Sequence, residues 1–170
     1  AAMDGTGDFE GTSDTVRYQG IAKLTVNMGM VGYTIHELNA AIAKAEAGNW
    51  GTDDAQHAWD EGWAFFHGPE ANYGCSPAKV MEKRAADFGT ADADGNAATF
   101  IATRNAMNDG LTALQNEDMQ GVTDARDEVL KNLVIVYSQA VLKYTSKMDS
   151  NDTAEKYQAE GYAFWKAIEA

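Results

Sequence analysis

The longest regular pattern in the chain runs from Ile21 to Ile42. Ile21, Leu24, Met28, Val31, Ile35, Leu38 and Ile42 alternate three- and four-residue spacings, which places them on one helical seam. The pattern predicts a long bundle helix from about Asp14 to Ala47, preceded by a Gly-, Asp- and Thr-rich arm over residues 1–14. Gly20, Gly29 and Gly32 weaken that helix and leave room for a close neighbour. Gly48-Asn49-Trp50-Gly51 ends it, and Thr52-Asp53-Asp54 caps a helix running to His67. Gly68-Pro69 stops that one. Ser76, with Pro77 at the first helical position, starts a short helix to about Phe88. Further helices are predicted over about Ala97–Gln115 and Thr123–Met148. In the second of these Leu130, Leu133, Tyr137, Ala140 and Tyr144 form a second seam. Ser150-Asn151-Asp152 caps a terminal helix over 153–170.

One internal similarity organises these elements. Asp60-Glu61-Gly62-Trp63-Ala64-Phe65-Phe66 matches Ala159-Glu160-Gly161-Tyr162-Ala163-Phe164-Trp165, each after a long helix and a polar turn. The fold class is therefore all-α: a helical bundle of two pseudo-repeated antiparallel hairpins with an inserted short-helix region. The pseudo-repeats span about 15–68 and 120–170, with an insert over 69–115, in a single domain of residues 15–170.

Composition narrows the partners. Apolar residues make up 45% of the chain, enough for a sizeable core, and the formal net charge is −13. Acids outnumber bases 26 to 13, which argues against nucleic acid and anionic membrane. No apolar run approaches the roughly 20 residues that span a bilayer. The small-residue start Ala1-Ala2 is what signal-peptide cleavage leaves, and fits a secreted protein. Cys75 is the single cysteine, so no internal disulfide forms.

Candidate chemistry centres on the matched helices. His57 and Glu61, four residues apart, share a face, and Glu160 corresponds to Glu61 with Lys156 in place of His57. If the copies converge, Glu61, Glu160 and His57, with His36 reaching in from the first long helix, form an oxygen and imidazole set suited to iron, manganese or zinc. The plainer alternative is that each Glu meets a lysine, a helix end or solvent. Asp124, Asp127 and Glu128 read as an acidic first helical turn. Tyr18, Tyr33, Tyr137 and Tyr144 are candidate phenolates for ferric iron, but tyrosine at bundle spacing usually packs. GxSxG, HExxH, P-loop, CxxC and dinucleotide fingerprints are missing, as are the Glu-x-x-His pairs of di-iron bundles, so no enzyme is expected.

Several segments together resemble a known family. The run Trp59-Asp60-Glu61-Gly62-Trp63-Ala64-Phe65-Phe66, closed by Gly68, is similar to the WDEAxAFYxG segment of algal low-iron-inducible periplasmic proteins, the iron-assimilating (FEA) family. Lys83-Arg84-Ala85, followed by Phe88-Gly89-Thr90, is similar to its ADKRCxxFGTC segment, and residues 129–147 with 159–165 resemble its closing helix pair. The order holds across about residues 15–170. The resemblance implies a secreted periplasmic or cell-surface protein associated with iron acquisition, without enzymatic activity, and points to the Glu61 segment. Ala85 and Ala91 stand where the family commonly has cysteines, so the disulfide implied there is absent.

Three functions follow as expectations: an extracellular protein binding iron through carboxylates, a structural module forming homo-oligomers or joining an extracellular matrix, and a carrier of an apolar ligand lined by Trp63, Phe65, Phe66 and Trp165.

Overall fold

The computed structural model describes residues 1–69, 76–149 and 154–169. Cys75, Tyr73 and the expected Ser150-Asn151-Asp152 cap lie outside the described residues. Six α-helices follow a short 3-10 turn at Gly7–Phe9: α1 (Asp14–Glu46), α2 (Ala55–His67), α3 (Pro77–Phe88), α4 (Ala98–Gln115), α5 (Met119–Met148) and α6 (Ala154–Lys166). No strand occurs among the described residues; Ala91 and Ala97 form an isolated bridge. The fold is an all-α bundle.

Local chemistry sets most boundaries. Ser13 caps α1 by accepting from the Val16 amide, and Ser76 caps α3 by accepting from Lys79, with Pro77 where its missing N–H costs nothing. Gly89 takes the left-handed conformation that closes α3. Two expected starts differ. Asp54 precedes α2 without a side-chain capping bond; Gln56 instead donates to the Trp50 carbonyl at 2.8 Å. Helix α5 begins at Met119, not Thr123, because the Asp118 carboxylate accepts from the Gly121 amide at 3.1 Å. Asp124, Asp127 and Glu128 consequently lie beyond the first turn, where Glu128 pairs with Lys131 at 2.9 Å and accepts from Asn132.

The two long helices carry the bundle. Helix α1 packs against α2 and α6, and α5 packs against α4 and α6. Helix α4, assigned from the pattern to an insert, is a full member, and its contact with α5 is the most extensive of any helix pair. The α1 seam is rotated from the apolar pattern. Asn27, Val31, Thr34, Leu38, Ala41 and Ala45 are buried, while Met28 is 47% exposed and Ile35 and Ile42 lie at the flank. Small residues win these positions because neighbours approach closely. An added Cβ at Gly62 of α2 would stand 2.9 Å from Leu38 Cδ2 and 3.5 Å from the Thr34 carbonyl.

Of the three α1 glycines, Gly20 alone accommodates a neighbour, the Phe9 ring; Gly29 and Gly32 face open space. Phe9 is buried against Gly20 and meets Tyr162 edge-on at 6.0 Å, and the Tyr162 hydroxyl donates to Asp8. The N-terminal arm is thereby docked across α1 and α6.

Trp59 locks α2 to α4. It is fully buried, and its indole N–H donates to the Met107 carbonyl at 2.9 Å. Its six-membered ring lies over Gly110, where an added Cβ would sit 2.0 Å from Cζ2. We therefore expect Gly110→Ala to destabilise the fold by about 1–3 kcal/mol through overpacking. Gly32→Ala, at an exposed position in the helix interior where an added Cβ meets nothing, should stabilise it by roughly 0.5–1 kcal/mol. Urea unfolding of both variants checks the pair, and equal effects would contradict this packing.

Candidate functional site

Helix α2 is held by its apolar face, through Ala55, Ala58, Trp59, Gly62 and Phe66, so the residues opposite are presented to solvent. His57 and Glu61 are 59% and 47% exposed, and His57 Nε2 lies 3.4 Å from Glu61 Oε1. One turn further, Phe65 stacks on Tyr33 of α1 at 5.0 Å, and Tyr33 also meets the His36 ring at 5.9 Å. His36 is well exposed, 3.9 Å from the Glu37 carboxylate. The α1–α2 flank therefore carries three of the four candidate ligands. Among the described residues, no three His, Cys, Asp or Glu side chains are close enough to hold one metal ion.

Glu160 is elsewhere. It is 6% exposed on α6, beside Tyr144 of α5. Burial and the Glu160 carboxylate both raise the Tyr144 phenol above its ordinary 10.0, while Arg84 of α3 opposes them. Lys156, the expected partner of Glu160, instead lies over the Tyr157 ring at 5.9 Å. Arg84 is buried and pairs with Asp87 at 2.8 Å, and Lys143 reaches the same carboxylate at 2.6 Å. Burial alone would raise the Asp87 pKa, but Lys143 and Arg84 hold it below the ordinary carboxylate value. Deeper in, Tyr137 of α5 donates to Asn27 Oδ1 at 3.1 Å, and Asn27 donates to the Lys23 carbonyl at 2.8 Å. Phe164 of α6 packs on both tyrosines, with ring centroids 5.6 Å from each.

The matched segments thus share letters but not environment. Phe66 is fully buried, whereas its counterpart Trp165 is 47% exposed; Phe65 is half-buried, whereas Phe164 is buried. The buried stripe of α6 sits one residue earlier in the motif, a rotation of about 100° around the helix axis. That rotation turns Glu160 inward and leaves Glu61 outward. Helices α2 and α6 each pack on α1 without substantial contact with each other, so Glu61 and Glu160 do not converge. The suggested aromatic box divides likewise: Phe66 stacks on Phe100 at 6.2 Å, Trp63 on His67 at 4.9 Å, and Trp165 lies on α6.

The tyrosines proposed as phenolate donors are similarly dispersed. Tyr18 and Tyr33 are exposed on α1, whereas Tyr137 is buried and Tyr144 is half-buried.

Two features had readable signals that pattern reasoning passed over. Asn27 interrupts an apolar stripe of α1, which marks a buried polar partner. Asp92, Asp94 and Asn96 have the spacing of the first ligands of a helix–loop–helix calcium site. Here Asn96 donates its amides to the Asp92 carboxylate, Ala97 stands where that loop needs glycine, and buried Thr103 stands where it needs glutamate. This segment is a hydrogen-bonded turn. With the Ala91–Ala97 bridge and the Thr90 amide donating to Ala85 at 3.0 Å, it ties down the end of α3 without a disulfide.

The model of the low iron-inducible periplasmic protein family, Fea1, matches residues 1–167, so the chain belongs to that family. No curated protein and no solved structure matches it. No described helix is long and apolar enough to cross a membrane, and the periplasmic or secreted location is that of the family.

The buried phenols make stability pH-dependent. Burial raises Tyr137 well above the ordinary 10.0, and Tyr144 also rises. A phenol that holds its proton more tightly when folded contributes stability fully present below pH 10.0, which is lost as pH climbs from there toward the folded value. Urea midpoints should thus fall above pH 10.0, and less steeply in Tyr137→Phe. At neutral pH that variant should lose about 1–3 kcal/mol, because Asn27 Oδ1 is left without its donor.

Proposed function

We propose that this protein serves iron acquisition outside the cytoplasm as a binding protein without catalytic activity, with His57 and Glu61 as its protein donors to iron. The observation that carries the reading is the 3.4 Å separation of His57 Nε2 and Glu61 Oε1 on an exposed helical face. At metal–ligand bonds of about 2.1 Å, two adjacent coordination positions lie about 3 Å apart, so a small side-chain adjustment lets both atoms meet one ion. Imidazole and carboxylate together suit first-row metals, iron among them. Two protein donors leave most coordination positions to water or to ligands arriving with the metal. Such a site favours capture and release over storage. The net charge of −13 supports it by concentrating cations near the surface. Family membership supplies the link to iron. His36, on the same flank, adds an imidazole near the site's edge, and Glu160 belongs to the bundle interior.

Metal-stripped protein titrated with Fe(II) and Fe(III) tests the assignment. His57→Ala and Glu61→Gln should each weaken specific binding about tenfold. Asp124→Asn, which removes an exposed carboxylate elsewhere, should not. Equal losses in all three variants, or no loss in the first two, would refute the two named donors.

A second reading, a surface-assembly module, rests on apolar side chains left in solvent along α5 and α6. Val134, Leu142 and Trp165 are each exposed by 47% or more. Light scattering across a concentration series decides it: growing mass supports assembly through this face, and a constant monomer mass removes it.

A further inference from the structure

The basic residues of this acidic protein are not evenly spread. Lys23 of α1 and Lys79, Lys83 and Arg84 of α3 line one cleft between α1, α3, α5 and α6, and among the described residues no carboxylate lines it. These are four of the thirteen basic residues in the chain. The cleft has a volume of about 100 Å³, enough for a small ion and too small for a nucleotide. Its remaining polar lining includes Asn27, Ser76 and Tyr144.

Arg84 distinguishes this cleft from a chance lysine patch. It is 4% exposed, and although the guanidinium pairs with Asp87, its Nε is buried with no hydrogen-bond partner among the described residues. A guanidinium has five N–H donors, so the pair with Asp87 and the neighbouring Tyr144 leave Arg84 with donor capacity to spare. Two carboxylates behind the lining are already engaged: Asp87 by Arg84 and Lys143, and Glu160 beside Tyr144. Glu82 pairs with Lys79 at 2.7 Å. Buried Ser76, the N-cap of the twelve-residue α3, also lines the cleft, which therefore lies beside the positive end of that helix.

We propose that this cleft is a binding site for a small oxyanion of the phosphate class, with the Arg84 guanidinium at its base and Lys23 and Lys83 supplying charge at the mouth. Guanidinium and ammonium donors form the stronger charge-assisted hydrogen bonds with such oxygens. The site is separate from the His57–Glu61 flank and needs no metal.

The test is calorimetric titration of the metal-free protein with inorganic phosphate and, separately, with phosphoserine as a monoester, at constant low ionic strength. Saturable one-to-one binding of inorganic phosphate alone identifies a free ion as the ligand; binding of both identifies recognition of a terminal phosphate. Arg84→Lys keeps the charge but removes the guanidinium. The double variant Lys23→Gln/Lys83→Gln changes only side chains at the mouth and leaves the core intact. Each should weaken binding about tenfold. Lys44→Gln/Lys131→Gln, which removes the same charge elsewhere, should leave it unchanged. Absence of saturable binding for both anions overturns the proposal. So does binding unaltered by the mouth variant, or lowered equally by the Lys44/Lys131 control.

Discussion

The hydrogen bond from Tyr137 to Asn27 joins the two longest helices at the middle of the bundle, and the placement of α6 follows from it. A buried amide needs its partners, so α1 and α5 can slide or rotate little against each other without stranding a polar group. Phe164 then has one place to go, against the rings of Tyr137 and Tyr144. Once Phe164 is seated, Glu160, four residues earlier on the same helix, turns inward toward Tyr144. The interior polar cluster is the product of one helix rotation fixed by one aromatic contact.

The same geometry separates two kinds of chemistry. In the interior, Arg84 and Lys143 share the Asp87 carboxylate, and Glu160 lies beside the Tyr144 phenol, along α3, α5 and α6. The outer flank of α2 leaves His57 and Glu61 beside each other and open to solvent. The metal capture proposed above belongs to the second environment, where two exposed donors leave an ion open to exchange with solvent. Trp59, anchored to Met107 and Gly110, keeps α2 in place from the opposite face.

Much of this was legible from spacing. Three-four periodicity and turn residues indicated each of the six described helices, with α5 starting four residues earlier than read, and Ser76-Pro77 with Gly89 bounded α3 correctly. What the pattern could not reveal was which side of each helix faces inward. In α1 the bulky Met28 marks the apolar stripe, yet small residues such as Thr34 and Ala41 are buried instead, since tight helix approach rewards small volume over hydrophobicity. In α6 the aromatic at each motif position was visible, but its direction depends on Tyr137, remote in sequence. The family resemblance read from the Trp59–Gly68 and Lys83–Thr90 segments holds over residues 1–167. The convergence expected of Glu61 and Glu160 assumed that similar segments pack alike, and a rotation of one residue position undoes that.

The claim on which this account rests is that two glutamates in matching sequence contexts occupy opposite environments. Carbodiimide footprinting of the native protein, resolved by mass spectrometry, reads this directly. Glu61 should label at the rate of a solvent-exposed carboxylate, and Glu160 should stay protected until the protein is unfolded. Comparable labelling of both in the native state would contradict the inward rotation of α6 and the division of chemistry drawn from it.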